Sequence, residues 1–136
     1  RRIEVLEEFQ KRCIPTVVWL TPICPYINDT PENITTILEE CARVGVKGVI
    51  CFDMGLTLRD GDREYYYAAL DKHFPGLKEK YIARYGNAYE VPSPHSRELM
   101  DLFGRICKNH GMLCRPDDCF KYMEEFPDKY EQMSFF

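Results

Sequence analysis

The stretch IPTVVWLTPICPYINDTPENITTILEECARVGVKGVICFDMG, residues 14–55, decides the fold. It begins and ends with short unbroken apolar runs rich in β-branched residues, PTVVWL and VKGVICF. A run without polar alternation suits a strand covered on both faces, as in a parallel sheet. Between the runs lies one amphipathic helix. Asn28, Asp29 or Thr30 can cap it, Pro31 stands near its first turn and Glu32 complements its dipole. Its apolar stripe is Ile34, Ile37, Leu38, Cys41 and Ala42, and Gly45 fits the C-terminal turn. Strand, loop, helix, strand with short connections is βαβ construction, which makes the two strands parallel with a right-handed crossover.

Upstream, Ile3, Leu6 and Phe9 recur among Arg, Glu and Lys as the stripe of another amphipathic helix. Downstream of residue 58 the chain changes character. DGDREYYYAALDKHF, GLKEKYIARYG, SPHSRELMDLFGRICKNHG and DDCFKYMEEF read as four helices, and the apolar MSFF at the end is expected to dock. Residues 1–58 therefore form an α/β part and residues 59–136 a helical extension of one compact domain. Internal repeats and low-complexity linkers are absent from the sequence. Two parallel strands do not make a stable sheet, so neighbouring strands are expected in a missing N-terminal half or in another chain. The helix-like opening at Arg1 fits a piece of something longer. An open strand edge also invites pairing with a second copy, which predicts a homodimer or a swapped arrangement.

Composition narrows function. With 136 residues, 45% hydrophobic and 29% charged, the sequence fits one small domain. A net charge of -4 exerts no bulk pull on phosphate backbones or anionic lipid. No apolar run approaches the ~18 residues of a membrane span, and no secretory leader is visible. A cytoplasmic address follows, with the seven cysteines as reduced, mostly buried thiols. Zinc would accept Cys107, His110, Cys114 and Cys119, but Cys107 shares a helical face with Leu99, Phe103 and Ile106, so core packing is the simpler reading. Three consecutive tyrosines, Tyr65 to Tyr67, are best explained by packing on two sides. Neither loop following a strand carries a phosphate-binding glycine pattern. In those loops Asn28 and Asp29 can cap or contact a ligand, Asp53 can act as an acid or bind ribose, and Gly55 allows close approach to the backbone.

The residues also carry a resemblance. IPTVVWLTPICPYINDTPENITTILEECARVGVKGV, residues 14–49, resembles the late barrel segment of radical S-adenosylmethionine proteins, with its proline-containing loop and helix-opening Asn-Asp pair. MGLTLRDGDREYYYAALDKHFPGLKEKYIARYGNAYEVPSPHS, residues 54–96, and the closing EQMSFF resemble the bacterial group related to spore photoproduct lyase, the DNA repair photolyase-like proteins. The resemblance implies the last two βα units of a partial (βα)6 barrel of TIM type, residues 16–20 being the fifth strand and 47–52 the sixth. It implies a parent enzyme in which a Cys-x-x-x-Cys-x-x-Cys loop holds a [4Fe-4S] cluster that cleaves S-adenosylmethionine to a 5′-deoxyadenosyl radical. That loop and the glycine-rich element meeting the methionine amino group are absent from this sequence, so the chain alone is expected to be inactive and to hold no cofactor of its own. The family's adenine side maps onto Leu20, Pro22, Ile23 and Asn28 after the first strand, and onto Phe52, Asp53, Met54 and Gly55 after the second. Substrate, and with it any contact to nucleic acid, is implied by the resemblance alone. A noncatalytic α/β interaction module, with the zinc site as its staple, is the alternative.

Overall fold

A computed structural model describes residues 1–125; the apolar terminal MSFF lies outside them. The architecture is mixed helix and strand. The order is α1 (Arg2–Lys11), β1 (Val17–Trp19), α2 (Pro31–Arg43), β2 (Gly48–Ile50), β3 (Gly55–Thr57), α3 (Asp62–His73), α4 (Leu77–Tyr85), β4 (Glu90–Pro92), α5 (Ser96–Asn109) and α6 (Pro116–Glu124). No helix among these residues is long and apolar enough to cross a membrane.

The two apolar runs do pair in parallel, Val17 with Gly48, Val18 with Val49 and Trp19 with Ile50. Thr30 is the residue that caps α2, its Oγ1 accepting from the Asn33 N–H at 3.2 Å, and Pro31 occupies the first turn. Ile34, Leu38 and Cys41 are the buried part of the helix's stripe. They pack with Val18, Val49 and the buried face of α5 (Leu99, Phe103, Ile106 and Cys107) into one core. The segment after α5 then returns to the sheet: Leu113 bridges to Gly48 in parallel, donating to Lys47 O at 2.9 Å and accepting from Val49 N–H at 2.8 Å. One of the two edges expected to be open is thereby occupied. β1 pairs only with β2 among the described residues.

Alternation along a strand sends neighbouring side chains to opposite faces. Val18 and Val49 meet α2 and α5, whereas Gly48, Trp19 and Ile50 face the other way. At the start of β2 that second face is closed by α6. A Cβ placed on Gly48 would lie 2.9 Å from Cys119 Sγ, so the absence of a side chain lets the helix seat there. At the far end of the strands the cover is partial, Ile50 being buried and Trp19 exposed. β1 is consequently not covered on both sides as its composition predicts: Val17 and Val18 are half-buried and Trp19 is 53% exposed.

The second apolar cluster was not foreseen from the sequence. β3 and β4 form an antiparallel pair (Gly55 with Pro92, Leu56 with Val91, Thr57 with Glu90), on which α3 and α4 pack through Leu58, Leu70, Tyr81 and Val91. Of the three consecutive tyrosines, Tyr66 and Tyr67 join this cluster while Tyr65 is 81% exposed, so two-sided packing does not hold for it. Arg63 ties the layers together, its guanidinium donating to the carbonyls of Leu58, Gly86, Asn87 and Ala88 at 2.8–3.4 Å. Hydrogen bonds from a charged donor are worth about 1.5–3 kcal/mol where well formed. Arg63→Ala is therefore expected to lower unfolding free energy by about 2 kcal/mol in urea titrations. Arg63→Lys should recover little, because an ammonium cannot fork to several carbonyls. A loss below about 0.5 kcal/mol would show that the four contacts are replaced by water.

Burial also sets a pH response. It pushes the Cys107 thiol from an ordinary 9.0 up to about 12, with the neighbouring Cys114, Cys41, Cys119 and Cys51 adding to the effect. Burial likewise raises Cys51 to about 11. For an acid whose folded pKa is raised, stability is complete below the unfolded pKa and falls as pH climbs toward the folded value. The urea midpoint should hold steady to about pH 8.5 and decline through about pH 10.5, with a shallower decline in Cys107→Ala. Identical slopes for the two proteins would remove Cys107 from the account.

Candidate functional site

The open ends of β1 and β2 and the β3–β4 pair enclose a cleft of about 650 Å³. That volume falls in the range of small-molecule sites. One wall comes from the strand ends and their loops, with Trp19, Leu20, Thr21, Pro22, Ile50, Phe52 and Asp53; the other comes from β3, β4 and α3, with Leu56, Thr57, Tyr65, Tyr66 and Glu90. Its mouth is aromatic. Trp19 and Phe52 are 53% and 64% exposed and meet edge to face, ring centroids 5.8 Å apart. Phe120 of α6 supports the indole from behind at 6.2 Å. Leaving two large rings in water at a cleft is costly unless something covers them. Asp53, Asp62 and Glu90 also line the cleft, and no lysine or arginine among the described residues does.

Of the eight residues expected on the adenine side, Leu20, Pro22, Phe52, Asp53 and Gly55 line this cleft. Ile23 and Met54 are 2% and 0% exposed and belong to the core, because each points from its loop toward α2 and α5. Asn28 organises its own loop. Its Oδ1 accepts from the Cys24 N–H at 2.5 Å, and its carbonyl accepts from Asn33 Nδ2 at 2.8 Å. Neighbouring Asp29 is buried and accepts from Ser93 Oγ at 2.5 Å, tying the first loop to the entry of α5. Asp53 does comparable work on the second loop, its Oδ1 accepting from the Met54 N–H at 2.8 Å and from Ser96 Oγ. Gly55 has a structural reason of its own: a Cβ there would lie 2.7 Å from Val91 O, so the β3–β4 pairing needs the glycine whether or not a ligand approaches.

Cys24 and Cys51 reach the cleft as well. Burial raises both thiols above their ordinary range, so neither is an activated thiolate. Behind Cys24 stands a tyrosine network in which Tyr81 OH donates to Pro25 O at 2.7 Å and lies 3.0 Å from Tyr66 OH. No group of three or more His, Cys, Asp or Glu side chains among the described residues is placed to hold a metal ion. The four residues weighed for zinc are not assembled: His110 Nε2 sits 3.0 Å from Glu39 Oε2, while Cys107 and Cys119 are buried in packing. The far wall of the cleft was invisible in the sequence, because its residues lie on strands that only long-range pairing creates.

No protein-family model matches the chain, and no solved structure matches it. An 83-residue stretch, 61% of the chain, is 30% identical to uncharacterized proteins of Mycobacterium bovis and Mycobacterium tuberculosis. The match spans about a quarter of those curated relatives, 24% of their length.

Proposed function

We propose that this chain is the C-terminal barrel portion of a radical S-adenosylmethionine protein of the DNA repair photolyase-like group, and that its cleft receives the adenosine end of that cofactor. The observation carrying the proposal is the position of the cleft. It opens where two parallel strands end, with helices α2 and α5 on one face of the sheet and the cleft on the other. In parallel α/β folds ligands bind at that end of the strands. Trp19 and Phe52 offer rings for a base to stack on, and Leu20, Pro22 and Gly55 bring backbone to the same rim. On this reading the last two units of a partial (βα)6 barrel are β1–α2 and β2 with the elements C-terminal to it, and the unpaired edge of β1 receives the neighbouring barrel strand of the longer protein. Without that strand the edge is open to a second copy.

The two implied groups fit this chain differently. An adenosine suits the size and aromatic lining of the cleft. A [4Fe-4S] cluster has no place on the described residues, since no three cysteines share a site. When bound to an upstream cluster, S-adenosylmethionine would supply hydrogen-abstracting chemistry; this chain's own part is to hold the base and keep water from one side of the site. Three lining carboxylates with no accompanying cation among the described residues disfavour a phosphate-rich ligand on this wall, so any nucleic-acid substrate would have to approach from elsewhere.

The test is anaerobic iron-sulfur reconstitution of the longer protein and of this chain. The proposal expects a [4Fe-4S] cluster and reductive formation of 5′-deoxyadenosine in the former and neither in the latter. A cluster-free longer protein would end the assignment. The second reading, an interaction module, draws on an apolar strip formed by α1 and the residues after it, where Val5, Phe9 and Ile14 are 40–51% exposed around a shallow groove. It predicts no 5′-deoxyadenosine from any length of the protein.

A further inference from the structure

Two methionine sulfurs approach one cysteine sulfur beneath the floor of the cleft. Cys51 Sγ lies 4.0 Å from Met54 Sδ and 3.9 Å from Met100 Sδ. Cys51 and Met54 follow β2 and are 3% and 0% exposed; Met100 reaches them, half-buried, from α5. Sulfur contacts fill gaps in many cores, but the spacing here has a second meaning. Three sulfurs around a metal with bonds of roughly 2.3 Å stand about 4.0 Å apart at the corners of a triangle. The two sides measured from Cys51 match that edge.

We propose that Cys51, Met54 and Met100 form a three-coordinate site for a soft monovalent cation, Cu(I). A thiolate and two thioethers are a soft donor set, suited to Cu(I) and poorly suited to magnesium, calcium or manganese. Cys51 borders the cleft from the strand end, with its sulfur turned toward α5. The single negative charge of the thiolate neutralises the single positive charge of the ion, which permits burial without a second counterion. On binding, the Cys51 S–H bond breaks, its proton leaves to solvent and the Cu–S bond forms; copper remains Cu(I), so no oxidant or reductant is consumed. The site is independent of adenosine binding and of any iron-sulfur cluster.

The experiment is anaerobic titration of the full chain with Cu(I) against a chromophoric Cu(I) chelator, in a Cys13→Ser background that removes the exposed thiol. One Cu(I) per chain is expected. Met54→Leu and Met100→Leu should each weaken binding at least ~10-fold, equivalent to about 1.4 kcal/mol, and Cys51→Ser should abolish it. Leucine conserves volume and apolarity, so the metal-free variants should melt close to the parent. Thiol-only binding elsewhere would leave the two leucine variants unchanged, and that result overturns the site. Should a leucine variant fail to fold, X-ray absorption of the copper-loaded parent decides: a shell of three sulfurs supports the proposal, and a two-sulfur or nitrogen-containing shell refutes it.

Discussion

Tyr81→Ala is expected to destabilise the chain by about 3–5 kcal/mol, the range for truncating a fully buried large aromatic. Tyr81 is 0% exposed and stands at the centre of the second cluster. Its ring meets those of Tyr26, Tyr66, Tyr67 and Tyr85 at centroid separations of 5.6–6.5 Å. Its hydroxyl reaches across to Pro25 O in the loop after β1. One side chain thus joins α4, α3 and the first loop of the cleft. Against a typical unfolding free energy of roughly 5–15 kcal/mol, such a loss consumes a large share of the whole. Tyr81→Phe separates the two contributions. It keeps the packing and leaves the Pro25 carbonyl without its donor, which should cost about 1–3 kcal/mol. Urea denaturation of the three proteins measures both. If Tyr81→Ala lost less than about 1 kcal/mol, the β3–β4 layer would not be an integral part of the fold.

The second large effect concerns the cleft. Trp19→Ala is expected to weaken adenosine binding about 5- to 150-fold, corresponding to the roughly 1–3 kcal/mol of one base–aromatic stacking contact. Phe52→Ala should fall in the same range, and the double variant should lose less than the sum because the two rings touch. Since both rings are more than half exposed, folding stability should change little, which keeps the binding result interpretable. Trp19→Phe should retain part of the affinity. Equal affinity in Trp19→Ala and the parent would remove the stacking role.

The elements legible in the sequence are those whose signal is local. PTVVWL and VKGVICF are unbroken and β-branched, and the stripe from Ile34 to Ala42 keeps helical period, so β1, α2 and β2 could be read where they stand. The four later helices were legible for the same reason. β3 and β4 were not. Each is three residues long, they are separated by α3 and α4, and Pro92 argues against a strand in isolation. Their pairing is a product of tertiary contact, and no window of sequence contains it. The Leu113 bridge was hidden likewise, a single residue completing a parallel edge.

The site divides along the same line. Loop position after a parallel strand led to Asp53 and Gly55, and the family resemblance added Leu20, Pro22 and Phe52; all five line the cleft. The resemblance marks a stretch of chain and not which side chains turn inward, so Ile23 and Met54 were included though both are core. Asn28, a reasonable ligand contact by residue type, spends its amide on the loop. Trp19 was missed, because a strand read as covered on both faces gave no reason to expect it in water. The expectation failed because α6 meets the indole only through Phe120 and leaves it 53% exposed.

The central claim is that the ends of β1 and β2 hold an adenosine. Because the chain has a single tryptophan, the Trp19 indole N–H gives one unambiguous NMR signal. Titrating adenosine into the isotopically labelled chain should shift that signal together with the amides of residues 20–24 and 51–57, all with one dissociation constant. Shifts confined to the α1 groove, or none at millimolar adenosine, would contradict the account.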